Sequence, residues 1–173
     1  MITGCSGGGK TTVLEILSRR GFHVVPEPGL RVIRSGGPAP WDSLDQFICA
    51  VIDLSKADLD EAANVKGDVF FDRGLLDALS GQAARSETDL ALLSFEPFPY
   101  SEPVFYAPPW PEIFEQTLER QLPLDAAIEE AERLKRDLQA LEIVHLVLPK
   151  SSAEKRADFI IESLHHVPLA SAD

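Results

Sequence analysis

The chain has 173 residues, 45% of them hydrophobic, and a formal net charge of −12. That length fits one domain over residues 1–173 with enough apolar side chains for a real core, while the acidic balance argues against nucleic acid or an anionic membrane as partner, since both need a positive field. No apolar run approaches the roughly 20 residues of a membrane span, and no charged segment followed by an apolar stretch opens the chain, so a cytoplasmic location is expected.

In chain order, Met1 and Ile2 supply an apolar start, cut short before Gly4, and Thr11 to Arg20 carries Val13, Leu14, Ile16 and Leu17 at helical spacing before Gly21 ends the helix. Phe22 to Val25 reads as a second strand, and Pro26-Glu27-Pro28-Gly29 reads as a break. Trp41 to Ala63 has apolar residues three and four apart, which predicts a helix with one wide buried face. Val69-Phe70-Phe71-Asp72 is a continuous apolar run ending in an acid, the profile of a strand buried on both faces of a parallel sheet. Helices are expected over Leu75–Arg85 and Thr88–Leu93, then a strand over Val104–Ala107 that stops at Pro108-Pro109-Trp110-Pro111. A polar stretch with a possible lid over 108–125 follows, then an amphipathic helix over Leu124–Leu141, a strand over His145–Leu148 and a helix over Ala153–Leu164. Strands alternating with helices predict an α/β fold in three layers, with a five-stranded parallel sheet and helices on both faces. Ligands then sit at the carboxyl ends of the strands.

Those ends carry the chemistry. Gly4-Cys5-Ser6-Gly7-Gly8-Gly9-Lys10-Thr11 fits G-x-x-x-x-G-K-[ST] at every fixed position. A triphosphate must be wrapped closely by backbone N–H groups, so the glycines keep Cβ atoms out of the way. Lys10 reaches the β and γ phosphates, Thr11 suits Mg²⁺, a hard cation, and Thr12 sits at the helix N-terminus beside the α-phosphate. A purine nucleoside triphosphate and Mg²⁺ are therefore the expected cofactors, and the three-layer fold is that of a phosphate-loop NTPase. Asp72 ends its strand where the acid that meets Mg²⁺ is needed, and Arg73 either stabilises the transferred phosphoryl group or pairs with Asp72. Glu27, fixed between two prolines at the mouth of the sheet, suits a general base, the alternative being a solvated turn glutamate. Arg31 and Arg34 either bind an anionic acceptor or lie on the surface. Arg120 is placed in the lid segment, over the triphosphate. Lys150 and Ser151 follow the last strand, where main-chain contacts would floor the nucleotide base.

Other features read as structure. Arg133, Lys135 and Arg136 are expected on a solvated helix face with Glu129, Glu130 and Glu132 at i,i+3 or i,i+4 spacing. Asp58, Asp60, Glu61 and Asp68 are expected in solvent, the histidines are scattered without ligand spacing, and Cys5 and Cys49 are not expected to pair. Ser55-Lys56-Ala57-Asp58 is a weak echo of a guanine-reading N-K-x-D element on the wrong element, and Leu79-Ser80-Gly81-Gln82 a partial L-S-G-G-Q without its helical subdomain.

With the Gly4–Thr11 loop, Val69–Arg73 and the Pro108–Pro111 turn in hand, most of the chain resembles the predicted ATPases with an AAA-like domain, of the phosphate-loop kinase type related to nicotinamide riboside kinases and thymidylate kinases. Glu27-Pro28-Gly29 is similar to the acceptor-site E-P-G of thymidylate kinases, and Phe71-Asp72-Arg73-Gly74 resembles their D-R element. The resemblance implies substrate and phosphate contacts at those positions. Two functions remain open: a kinase moving the γ-phosphoryl group of ATP to a hydroxyl of a small-molecule acceptor, or a nucleotide-dependent switch with slow hydrolysis and no acceptor.

Overall fold

Apolar side chains on both faces of the central strands build two cores. In the computed structural model, which describes residues 1–88, 90, 97–115 and 122–166, the strands are β1 (Ile2–Gly4), β2 (His23–Val25), β3 (Val69–Phe71), β4 (Val104–Ala107) and β5 (His145–Val147). Phe70 and Phe105 point to one side, and Phe71, Val104 and Tyr106 to the other. A parallel strand buried on both faces must be apolar at consecutive positions, which is why these segments are runs rather than alternations.

Every strand pair is parallel. β4 lies between β1 and β5, with Ile2 opposite Phe105 and Phe105 opposite Leu146, while β2 pairs with β3, Val24 opposite Phe70. The result is a three-stranded and a two-stranded sheet, not the single five-stranded sheet expected from the sequence. They meet at one bridge, Ile2 opposite Asp72. The Arg73 N–H donates to the Ile2 carbonyl at 2.8 Å and the Asp72 N–H to the Val25 carbonyl at 2.9 Å. The ladder stops there because Arg73 adopts φ +60°, which turns the chain out of the strand.

Six helices flank these strands among the described residues: α1 (Lys10–Arg19), α2 (Pro28–Arg34), α3 (Leu44–Ala62), α4 (Leu75–Ser86), α5 (Leu124–Ala140) and α6 (Ala153–His166). Val13, Leu14 and Leu17 of α1 and Ala157 and Ile160 of α6 cover the Phe70 and Phe105 side. Residues of α3, α4 and α5, among them Val51, Leu76 and Leu138, cover the other. The Tyr106 hydroxyl pins α5 to β4 by donating to the Ala131 carbonyl at 3.0 Å.

Two elements depart from expectation. α2 occupies the segment read as a break: Pro28 stands at its first turn, where a missing N–H costs nothing, with Glu27 as the flanking residue. α3 begins at Leu44 rather than Trp41. The helix expected over Thr88–Leu93 falls mostly outside the described residues, as does Arg120.

Candidate functional site

The phosphate loop hangs between β1 and α1. The Cys5 N–H donates to the Ala107 carbonyl at 2.9 Å, fixing the loop to the end of β4, and the Gly8 N–H closes a turn onto the Cys5 carbonyl at 3.1 Å. Gly4 must be glycine, since with φ +109° a Cβ would collide with the Ala107 carbonyl oxygen. Gly9 at φ +72° caps α1, which lacks a side-chain cap. The N–H groups of Gly7, Gly9 and Lys10 have no hydrogen-bond partner among the described residues. Unpaired donors at a helix N-terminus are what an anion requires.

Lys10 is 5% exposed and curls over the loop, donating to the Cys5 carbonyl at 2.8 Å and the Gly4 carbonyl at 3.3 Å. Burial, and then the nearby Arg73, hold its ammonium below the ordinary lysine pKa. Thr11 is exposed at the start of α1 and donates its hydroxyl to Asp72 Oδ2 at 2.8 Å. The other Asp72 oxygen, Oδ1, is buried with no hydrogen-bond partner. An unpaired buried carboxylate oxygen beside a threonine hydroxyl fits a hard divalent cation completed by phosphates and water. Among the described residues no three His, Cys, Asp or Glu side chains gather into a metal cluster, so such an ion would rest on Thr11 and Asp72 alone.

Arg73 is 7% exposed and sits among carboxylates rather than pairing with Asp72. Its Nη1 reaches Asp77 Oδ1 and Glu130 Oε1, each at 2.9 Å, and its Nε lies 3.7 Å from Glu27 Oε1. Burial works against its charge, but Glu130, Asp77 and Glu27 outweigh that and hold its proton more tightly than in an ordinary arginine. Asp77 also accepts from the Thr3 hydroxyl at 2.6 Å, and its burial raises its carboxyl above the usual carboxylate range.

Two cavities flank the loop. One, of about 990 Å³, has Glu27, Arg73, Asp77 and Glu130 at its polar end and Ile33, Trp41, Phe47, Ile48 and Val51 among its apolar walls. The other, of about 670 Å³, runs along Gly7, Gly9, Lys10, Thr11 and Thr12 to Trp110, Ser151 and Arg156.

The site residues expected from sequence are distributed unevenly. Ser6 and Glu27 line the larger cavity, and Ser151 the smaller, but Lys150 is exposed and lines neither. Arg31 turns away, its Nη1 lying 2.7 Å from both oxygens of Asp58, and Arg34 is exposed; neither lines either of these two cavities. Asp58, expected in solvent, is 5% exposed because it takes that ion pair under α2. Glu130 and Arg133 are likewise not on a solvated face: Glu130 reaches Arg73, and Arg133 Nε donates to the Ser80 hydroxyl at 2.9 Å. Asp77, Glu130 and Arg156 were not singled out. Their signals were faint: Asp77 stands one helical turn after Arg73, and Arg156 interrupts the apolar stripe Ala153, Ala157, Ile160 of α6.

A parallel α/β sheet whose first strand feeds a glycine-rich anion loop, with an acid at the end of a neighbouring strand, defines a phosphate-loop kinase fold. A family model described as "AAA domain" matches residues 1–156, and the chain belongs to that family. Among proteins with curated descriptions, no sequence matches. The fold is similar to deoxyadenosine kinase from M. mycoides. The structure with bound dATP has a TM-score of 0.66 at 13% identity, covering 95% of this chain and 97% of that one. The structure with the products dCMP and dCDP gives a TM-score of 0.62 at 14% identity over the same shares.

Proposed function

We propose that the protein is an ATP-dependent kinase that phosphorylates a hydroxyl of an uncharged, nucleoside-like acceptor. The observation that carries the reading is the pair of cavities on either side of one anion loop, the layout that in-line transfer between donor and acceptor needs. ATP would lie along Gly7 to Thr12 with its base toward Ser151, and the acceptor in the larger cavity with its hydroxyl toward Glu27. Thr11 and Asp72 would hold Mg²⁺, which when bound would supply a Lewis acid to the transferred phosphoryl group. The acceptor oxygen bonds to the γ-phosphorus as the bond to the β,γ-bridging oxygen breaks. Glu27 takes the hydroxyl proton, and Lys10 balances charge on the departing ADP.

The acceptor's character follows from what lines its cavity. Glu27, Asp77, Glu129, Glu130 and Glu132 face three arginines, Arg73, Arg133 and Arg136. Arg73 is already enclosed by carboxylates and Arg133 is bound to the Ser80 hydroxyl, and five carboxylates against three arginines leave the lining net negative, which opposes a phosphate. Hydroxyl donors suit that end, and a flat apolar group suits Trp41, Phe47 and Val51. This favours a nucleoside over its monophosphate, the acceptor that a thymidylate-kinase resemblance would imply. The deoxyadenosine kinase likeness agrees in kind. An acid-floored cavity of this size has no use in a nucleotide switch.

The test is a transfer assay with γ-labelled ATP and Mg²⁺ against a panel of nucleosides and their monophosphates, run on the parent and on Glu27→Gln. Label should pass to a nucleoside and not to its monophosphate, and Glu27→Gln should lower kcat about 100- to 10,000-fold with ATP affinity unchanged. Transfer to monophosphates alone, or a Glu27→Gln enzyme as fast as the parent, would defeat the assignment.

A further inference from the structure

Arg156 stands out among the groups the proposed reaction does not use. It is 2% exposed, it belongs to the first turns of α6, and no carboxylate pairs with it among the described residues. Its Nη1 donates to the Gly8 carbonyl at 3.0 Å and to the Gly9 carbonyl at 3.4 Å, and its Nε is buried without a partner. The Trp110 ring lies against the guanidinium, with Cζ 5.8 Å from the ring centroid. A buried charge is ordinarily paired, because taking it out of water is costly. Burial pulls its pKa below that of an ordinary arginine, so its carbonyl and Trp110 contacts do not offset the loss of water as a carboxylate would.

We propose that Arg156 is a positioning residue for the phosphate loop, holding the Gly8–Gly9 and Gly9–Lys10 peptides so that their N–H groups face the polyphosphate of the bound nucleotide. The geometry follows from the trans peptide bond, in which C=O and N–H point in opposite directions. With the Gly8 and Gly9 carbonyls drawn to the guanidinium, the N–H groups of Gly9 and Lys10 emerge on the far side, and these are amides with no partner among the described residues. The cation also polarises both peptides, which strengthens the donors. Its missing counter-charge is then the polyphosphate itself, felt across one layer of peptide. Gly9 serves the same contact, since a Cβ there would come within 2.7 Å of Arg156 Nη1. Trp110 holds the fork in place by stacking, a role lysine fills poorly because its charge is a point rather than a plane.

The inference rests on the nucleotide-binding half of the reading above, and it needs no acceptor. Calorimetric titration with inorganic tripolyphosphate and Mg²⁺ tests it on the parent, Arg156→Met and Arg156→Lys, each checked for a cooperative melt. Arg156→Met is expected to weaken tripolyphosphate at least tenfold, and ATP by the same factor, while Arg156→Lys recovers part of the loss. A purely structural arginine would lower the melting temperature and leave the affinity of the folded protein unchanged. That outcome overturns the proposal. If Arg156→Met does not fold, Arg156→Lys decides: it should bind tripolyphosphate at least threefold more weakly than the parent, and parent-like binding counts against the loop contact. A parent that binds tripolyphosphate equally with its Met variant removes this inference alone, whereas a parent that binds neither tripolyphosphate nor ATP removes the nucleotide reading as well.

Discussion

Lys10 sits in the loop at a cost to the fold. The ammonium is nearly buried and faces Arg73, and its hydrogen-bond partners among the described residues are neutral carbonyls, so the folded state holds its proton less tightly than the unfolded chain does. Folding therefore weakens the hold on this proton, and the penalty fades as pH rises through the lowered folded-state value toward the ordinary lysine value of 10.5, where the unfolded chain loses its proton too. Lys10→Met should thus melt higher than the parent at pH 7 without nucleotide, with the gap narrowing as pH rises, while ATP no longer raises its Tm. Scanning calorimetry across pH with and without ATP measures both effects. A variant that melts lower at pH 7 would mean that the carbonyl contacts outweigh the burial.

At the scale of elements, what could be read in advance was what a short pattern fixes locally. The strands at Val69–Phe71 and Val104–Ala107 and the spacing of Val13, Leu14 and Leu17 are set by burial on both sides or on one face, and periodicity carries that. The loop is legible for a different reason, because glycines at fixed positions have few other uses. What escaped depends on distance in the chain. Pro26-Glu27-Pro28-Gly29 contains the residues of a turn, yet Pro28 begins α2, since proline is equally at home in a first helical turn. Arg31 pairs with Asp58 across 27 positions, and neither residue alone says so. That pair ties α2, which carries Glu27 and walls the larger cavity with Leu30 and Ile33, onto α3. Asp58→Ala would leave an Arg31 that is still about a third exposed, so the loss is nearer 1–2 kcal/mol than the 3–5 of a fully buried pair. A Tm lowered by several degrees is expected, with the acceptor KM raised and the ATP KM unchanged. Steady-state kinetics with each substrate varied in turn would reveal the split, and equal changes in both KM values would mean that α2 does not set the acceptor wall by itself.

Across the whole molecule, the two-plus-three division of strands matters for where substrates can meet. β3 and β1 touch at a single bridge, Ile2 opposite Asp72, and it is at that junction that Asp72 turns toward Thr11 while Arg73 turns toward Asp77 and Glu130. Consecutive residues of one strand end thereby serve different cavities, and the phosphate loop stands between them. The chain's two tryptophans fall one to each side: Trp41 lines the larger cavity and Trp110 the smaller. Each is accordingly an internal reporter of one substrate. Trp41→Phe should keep an emission change on adding a non-hydrolysable ATP analogue with Mg²⁺ and lose most of its response to nucleoside. Trp110→Phe should do the reverse. Because the larger cavity is walled by α2, α3 and α5 and the smaller by the loop and α6, the two responses should also be close to independent in amplitude. A nucleoside that quenches Trp110 while leaving Trp41 untouched would exchange the donor and acceptor sides, and with them the roles given to Glu27 and Ser151.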